Sequence, residues 1–231
     1  MRRANYRGRR VIFPIGVLLL AVGALALTAG LNRWLVFLCG VAYLGLVDDL
    51  AGGPMRGWRE HGLAVARGEL STGALKAAGT VALAAYAVTG TDDTGLLYLT
   101  DLLALALAAH VGNLLDTRPG RCEKALALMA AVVCLASRSL DRLAPIAPLL
   151  PVVAICAWLT LSERAMLGDT GASLIGGMIG VLLVTTLSPP GIALALAGLI
   201  AISVYGEFRS ISAAIERVPL LDRLDSLGRV N

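Results

Sequence analysis

The chain has 231 residues, of which 57% are hydrophobic and only 16% are charged, and its mean hydropathy is +0.78. A soluble domain of this length needs a more polar surface, so the composition excludes that class and indicates a polytopic membrane protein. The net charge of +4 is better explained by basic loops on one side of a membrane than by nucleic-acid binding. Aromatic residues, at 5%, are also too few for base stacking, so we expect no nucleic-acid partner.

Hydrophobic runs predict an all-α, polytopic transmembrane helical bundle. Because a helix needs about 20 apolar residues to cross the hydrocarbon, the runs give about eight spans. They are residues 11–31, 31–47, 73–90, 95–115, 125–136, 144–161, 167–187 and 191–205. The fifth is short. We assign residues 1–206 to this bundle and residues 207–231 to an amphipathic cytoplasmic tail. Four leucines of the tail share one helical face, which predicts a helix at the membrane interface or packed under the bundle.

The orientation follows from the basic residues. With the N-terminus inside, 17 of the 20 Lys and Arg residues, including Arg56, fall in cytoplasmic segments. The three exceptions are Arg33, Arg138 and Arg142. Asp92 and Asp93 then fall in a short outer loop. We therefore expect a multi-pass protein of the inner (plasma) membrane with both termini cytoplasmic.

Three acidic motifs fall at predicted cytoplasmic ends of spans. GLVDDLAGG supplies Asp48 and Asp49, HVGNLLD supplies Asn113 and Asp116, and MLGDTGAS supplies Asp169. Two crossings separate each motif from the next, provided that the fifth span is real. The aspartates are therefore predicted to converge on one face, where ionisable groups in a membrane protein are usually functional.

The residue types indicate phosphate chemistry at a divalent cation. Adjacent aspartates repel each other unless a cation shares their site, and Mg²⁺ is typically held by one or two carboxylates together with substrate phosphates. We predict Asp169 and Asp49 as metal ligands. Phosphoryl transfer further needs fixed positive groups around the phosphates. A solvated helix end for Asp48 and Asp49, and a helix cap for Asp169, remain the simpler alternatives.

The neighbouring residues supply such positive groups. Gly168-Asp169-Thr170-Gly171 opens a predicted helix, where free N–H groups and the helix dipole attract anions. Basic side chains crowd the adjoining segments. The predicted substrate-binding residues are Lys76, Asn113, Arg118, Arg121, Lys124, Gly168, Thr170 and Gly171.

These motifs resemble those of the polyprenyl-phosphate N-acetylhexosamine-1-phosphate transferases, which include the phospho-N-acetylmuramoyl-pentapeptide transferases. The resemblance covers most of the chain, and its motifs are NYRGRRVIFPIG, GLVDDL, STGALK, GNLLD and MLGDTGASLIGG. It implies that a polyprenyl phosphate attacks a UDP-sugar, releasing UMP and forming a polyprenyl-diphospho-sugar for cell-envelope glycan synthesis.

The resemblance also implies roles for individual residues. Asp169 would ligate Mg²⁺. Asp48 and Asp49 would position or deprotonate the lipid phosphate and assist the metal. Asn113 and Asp116 would hold the nucleotide diphosphate, and Lys76 would pair with phosphate.

The chain departs from the family pattern in ways that keep other functions open. Family members usually have about ten spans, the residues after Asp116 are altered to TRPGR, and no histidine-rich loop is present. A non-catalytic relative that binds a lipid phosphate or scaffolds envelope assembly is one alternative. A small-solute transporter is a weaker one, because its charges should lie near mid-bilayer. The sequence leaves open whether the chain forms a homodimer.

Overall fold

A computed structural model describes residues 1–53, 57–69, 71–89, 91 and 95–230. Arg56, the end of the third predicted span at Gly90, and the loop residues Asp92 and Asp93 lie outside the described residues. The structure is 75% helical and forms an all-α bundle, with one short hairpin that the sequence did not predict.

Each of the eight predicted spans coincides with a helix of the bundle. These helices are α1 (Gly16–Thr28), α2 (Arg33–Ala51), α4 (Thr72–Val88), α5 (Gly95–Leu115), α6 (Arg121–Ser137), α7 (Leu150–Leu161), α8 (Gly168–Thr186) and α9 (Pro189–Phe208). A further helix, α3 (Gly57–Ala66), lies in the loop before α4. Among the described residues, α2, α5, α8 and α9 are long and apolar enough to cross a membrane, which indicates a membrane protein.

The helices α2 and α7 differ from the predicted spans, α2 at its end and α7 at its start. The helix α2 continues past residue 47 to Ala51, so that Asp48 and Asp49 lie in its last turn instead of beyond its end. The helix α7 starts late. Residues 141–149 form two 3₁₀ turns before it, in a segment with prolines at 145, 148 and 151, because proline removes a backbone donor and disfavours a preceding helical residue.

The first span is shortened by a hairpin. Strands β1 (Arg2–Ala4) and β2 (Arg10–Ile12) pair antiparallel, and Ile12 also bridges to Ala165 in the loop before α8. The N-terminal arm is therefore fixed against the bundle where α8 begins.

The central element is α8, which packs against α1, α2, α5 and α6 and is buried along most of its length. Small residues line its contact with α5. A Cβ added at Gly176 would lie 2.9 Å from the Cα of Gly112 on α5 and would also clash with the Ala108 carbonyl. The two backbones are thus in direct contact, a geometry that only small residues permit.

The predicted amphipathic tail forms two short helices, α10 (Ile211–Glu216) and α11 (Pro219–Ser226). The helix α9 crosses the predicted boundary at residue 206 and ends at Phe208. The tail docks under the bundle through Asp225, which is 8% exposed and bound by Arg121 at the start of α6.

Candidate functional site

Asp49 caps the central helix from another part of the chain. Its Oδ1 accepts from the Asp169 backbone N–H at 3.0 Å, and its Oδ2 accepts from the backbone N–H and the hydroxyl of Thr170 at 2.9 and 2.6 Å. The first N–H groups of a helix have no partner within it and attract negative charge. Leu167, at the cap position, offers no polar side chain. The N–H groups that we predicted for a phosphate are therefore bound by a buried carboxylate of α2.

Lys76 connects the Asp-Asp motif to Asp169. Its Nζ donates to Asp169 Oδ2 at 2.6 Å and lies 4.0 Å from Asp48 Oδ2. The lysine is in the first turns of α4, whose start is capped by the Ser71 hydroxyl. Its side chain is 14% exposed, whereas that of Asp169 is 39% exposed. Lys76 thus places a fixed positive charge beside a carboxylate that remains accessible.

A cavity of ≈ 240 Å³ opens beside these residues. Asp49, Asp116 and Asp169 line it together with Arg3 and Arg118. Gly168 also lines it. Its φ of +71° is a backbone conformation that favours glycine, and a Cβ there would meet Asp49 Oδ2 at 2.6 Å. Carboxylates from all three acidic motifs therefore lie at one end of the bundle, with two guanidinium groups on the same cavity wall.

Asp116 follows directly after the end of α5 and is half-buried. Burial raises the pKa of this carboxyl well above its ordinary value, and the charges of Glu123, Asp169 and Asp49 raise it further. A backbone hydrogen bond from Gly168 opposes this effect. A cation bound nearby would stabilise the ionised form of this carboxyl, because it would partly neutralise the neighbouring negative charges.

Whether a metal fits depends on how many ligands the protein must supply. Within the described part of the chain, no three His, Cys, Asp or Glu side chains form a group that could hold a metal ion. Asp49, a predicted ligand, already accepts three hydrogen bonds. Asp169 and Asp116 line the cavity, and Mg²⁺ commonly takes one or two carboxylates plus substrate phosphates. The residues therefore fit a cation that arrives with a phosphate ligand, not one caged by the protein alone.

Several predicted substrate-binding residues make contacts away from the cavity. Asn113 Oδ1 accepts from the Ser173 hydroxyl at 3.1 Å, joining α5 to α8. Gly171 lies against the backbone of Gly16, where a Cβ on either residue would clash. These two residues fasten the central helix to its neighbours.

The predicted basic cluster divides into two parts. The Arg121 guanidinium is buried and donates to both carboxylate oxygens of Asp225, and Lys124 donates to the Asp225 carbonyl at 2.6 Å. Both residues hold the tail. Arg118 lines the cavity, where it lies over the Tyr6 ring and 3.2 Å from Glu216.

The N-terminal hairpin and Glu163 form a cavity wall that the sequence patterns did not reveal. Glu163 is buried and accepts from the Tyr6 hydroxyl at 2.9 Å and from the Asn5 amide at 3.4 Å. Arg7 lies 3.4 Å from the same carboxylate. Arg3 donates to the Asp49 carbonyl at 2.7 Å and stacks on Phe13. The sequence shows only a single glutamate between two apolar segments and an arginine-rich N-terminal arm, and nothing in it pairs the two.

No family model, no curated protein and no solved structure matches this chain.

Proposed function

We propose that the chain is a membrane phosphotransferase that moves a sugar-1-phosphate of the N-acetylhexosamine type from a UDP-sugar to a polyprenyl phosphate, with release of UMP. The observation that supports the proposal is the meeting of three distant acidic motifs at one cavity, with Arg3 and Arg118 on its wall. Phosphoryl transfer depends on fixed charges that hold phosphates in line and stabilise the charge that develops on their oxygens. Basic residues concentrated on the same side favour a cytoplasmic site in the inner membrane.

The roles follow from exposure and hydrogen bonding. Asp169 is available to a ligand, because its side chain is partly exposed and the residue lines the cavity. Asp49 shapes the site by fixing the start of α8, and Lys76 orients the Asp169 carboxylate. Asp48, 4.0 Å from the same lysine, is the candidate that would receive the proton of the lipid phosphate.

Arg3 and Arg118 are suited to the diphosphate of the donor. Guanidinium groups present several donors in a planar fork that matches phosphate oxygens. Asp169 and Asp116 would hold Mg²⁺ together with that diphosphate, and the ion would supply charge neutralisation when bound.

The direct test is a turnover assay on the purified chain in detergent. Undecaprenyl phosphate, Mg²⁺ and a panel of UDP-sugars are supplied, and the release of UMP is measured. We expect release from one or more donors. We also expect its loss in Asp169→Asn, with retention in Asp222→Asn, which makes the same change on an exposed tail residue. A folded preparation that releases no UMP from any donor would count against the proposal.

A second candidate function is binding of a lipid phosphate without chemistry. Arg121 and Lys124, which were predicted to bind substrate, donate instead to Asp225 of the tail. Fewer positive groups are therefore available for a donor diphosphate, which favours this second candidate. Native mass spectrometry separates the two candidates. Bound undecaprenyl phosphate with no diphospho-sugar product, whatever the donor, supports the binding function.

A further inference from the structure

The tail helix α11 has an apolar side and a polar side. Leu220, Leu224 and Leu227 recur at spacings of four and three, which places them on one side of the helix. Their side chains are 67%, 51% and 68% exposed. Asp225 lies on the opposite, polar side and faces the bundle, and the exposed Asp222, three residues earlier, lies beside it on that side. The helix therefore docks through a polar residue and turns its apolar side away from the protein.

The docking point lies at the perimeter of the bundle. Lys124 on α6 donates to the Asp225 carbonyl at 2.6 Å. Leu128, Val132 and Leu135 follow Lys124 along one face of α6 and are 64%, 54% and 78% exposed. In a membrane bundle, an exposed apolar stripe of this kind contacts lipid. The helix α11 is thus attached at the foot of a lipid-facing stripe.

The chain reaches this position directly from the membrane. The candidate span α9 ends at Phe208, which is exposed, and α10 begins three residues later. Arg223, which is three residues after Leu220 and four before Leu227, is exposed beside the apolar side of α11. Arg217, two residues before the helix, is exposed as well. An apolar side flanked by basic residues is the composition of helices that lie in the interface of an anionic bilayer.

We propose that α11 lies in the membrane interface, with Leu220, Leu224 and Leu227 in contact with the lipid and Asp225 fastening the helix to the bundle. The occupant of the apolar side is an anionic lipid surface. This inference goes beyond the proposed catalytic function and does not depend on it. A second copy of the chain is the other occupant that the exposed leucines allow, and the experiment distinguishes the two.

The test places a photoreactive benzophenone amino acid at single positions of the full chain. The positions are Leu220, Leu224 and Leu227 on the apolar side, and Asp222 and Ser226 as matched controls on the same helix. All five side chains are exposed, so the probe displaces no core atoms. Each variant is reconstituted into vesicles of phosphatidylethanolamine and phosphatidylglycerol and irradiated, and the tail peptide is analysed by mass spectrometry.

We expect phospholipid adducts at the three leucine positions, several-fold more abundant than at Asp222 and Ser226. Equal adducts at all five positions, or none at the leucines, would overturn the proposal. A cross-linked dimer at the leucine positions would also overturn it and would assign that side to a second copy. None of these readouts requires turnover, so their outcome is separate from that of the UMP assay.

Discussion

Asp225 fastens the C-terminal tail to the start of α6. Arg121 donates to its two carboxylate oxygens at 2.8 and 2.7 Å, and Arg229 lies 2.7 Å from one of them. Burial raises the pKa of Asp225, but the hydrogen bonds and charges of the two arginines outweigh it and lower that pKa from 3.8 to about 2. We therefore predict that Asp225→Asn releases the tail.

The size of the effect follows from two independent arguments. The lowered pKa of Asp225 corresponds to about 2 kcal/mol of stabilisation at neutral pH. Leaving the buried guanidinium of Arg121 without its carboxylate costs about 3 kcal/mol or more. A loss of about 2–3 kcal/mol raises the population of the undocked tail about 30- to 160-fold.

Hydrogen exchange measured by mass spectrometry reports this population. In Asp225→Asn, amides of α10 and α11 should exchange faster by about the same factor as the population of the undocked tail. Asp222→Asn, which removes the same charge from an exposed position on the same helix, should leave their exchange unchanged. In the wild type, a folded-state pKa below the ordinary value means that the stabilisation is complete above pH 3.8 and declines as the pH falls towards 2. Equal exchange in the two variants would refute the proposal that Asp225 fastens the tail to the bundle.

Three further predictions concern the site and the packing beneath it. Asp49→Ala should lower the stability by about 1–3 kcal/mol in thermal unfolding, because two helix N–H groups and a hydroxyl lose their acceptor. Asp169→Asn should abolish UMP release with a smaller effect on unfolding. Equal destabilisation by the two changes would contradict a structural role for Asp49 and a catalytic role for Asp169. Gly176→Ala should lower the stability by about 1–3 kcal/mol through the clash with α5, while Gly198→Ala, where a Cβ meets open space, should be neutral or stabilising; an unchanged Gly176→Ala would show that the helices are not in contact. Asp116→Asn should raise the stability in metal-free buffer at neutral pH, since a raised pKa makes the ionised carboxyl unfavourable in the folded state. The gain should vanish as the pH falls below about 4, and its absence at neutral pH would contradict the half-buried, negatively charged setting of Asp116.

Hydropathy was enough to locate the helices of the bundle. Each of them contains an apolar segment bounded by charge, glycine or proline, and these features act locally. The range predicted for α5 is the same as that observed, and α8 begins and ends one residue inside its prediction. The parity of the crossings then placed Asp49 and Asp169 at one end, as the hydrogen bonds between α2 and α8 require.

The contacts that define the cavity wall could not be read from local patterns. Glu163 and Asp225 look like ordinary loop and surface charges, and their partners lie about a hundred residues or more away in the chain. The strands of the hairpin are three residues each, too short to show an alternating pattern. Arg121 was predicted to bind substrate, because its partner Asp225 lies 104 residues away and no local pattern joins the two.

The most direct measurement of the proposed site is the binding of Mn²⁺, a paramagnetic substitute for Mg²⁺, followed by electron paramagnetic resonance. The carboxylates at the cavity fit a cation that is completed by phosphate oxygens. We therefore predict that Mn²⁺ binds in the presence of UDP, binds much more weakly without it, and is lost in Asp169→Asn but kept in Asp222→Asn. Binding that ignores UDP, or that survives unchanged in Asp169→Asn, would contradict a diphosphate site built on these aspartates.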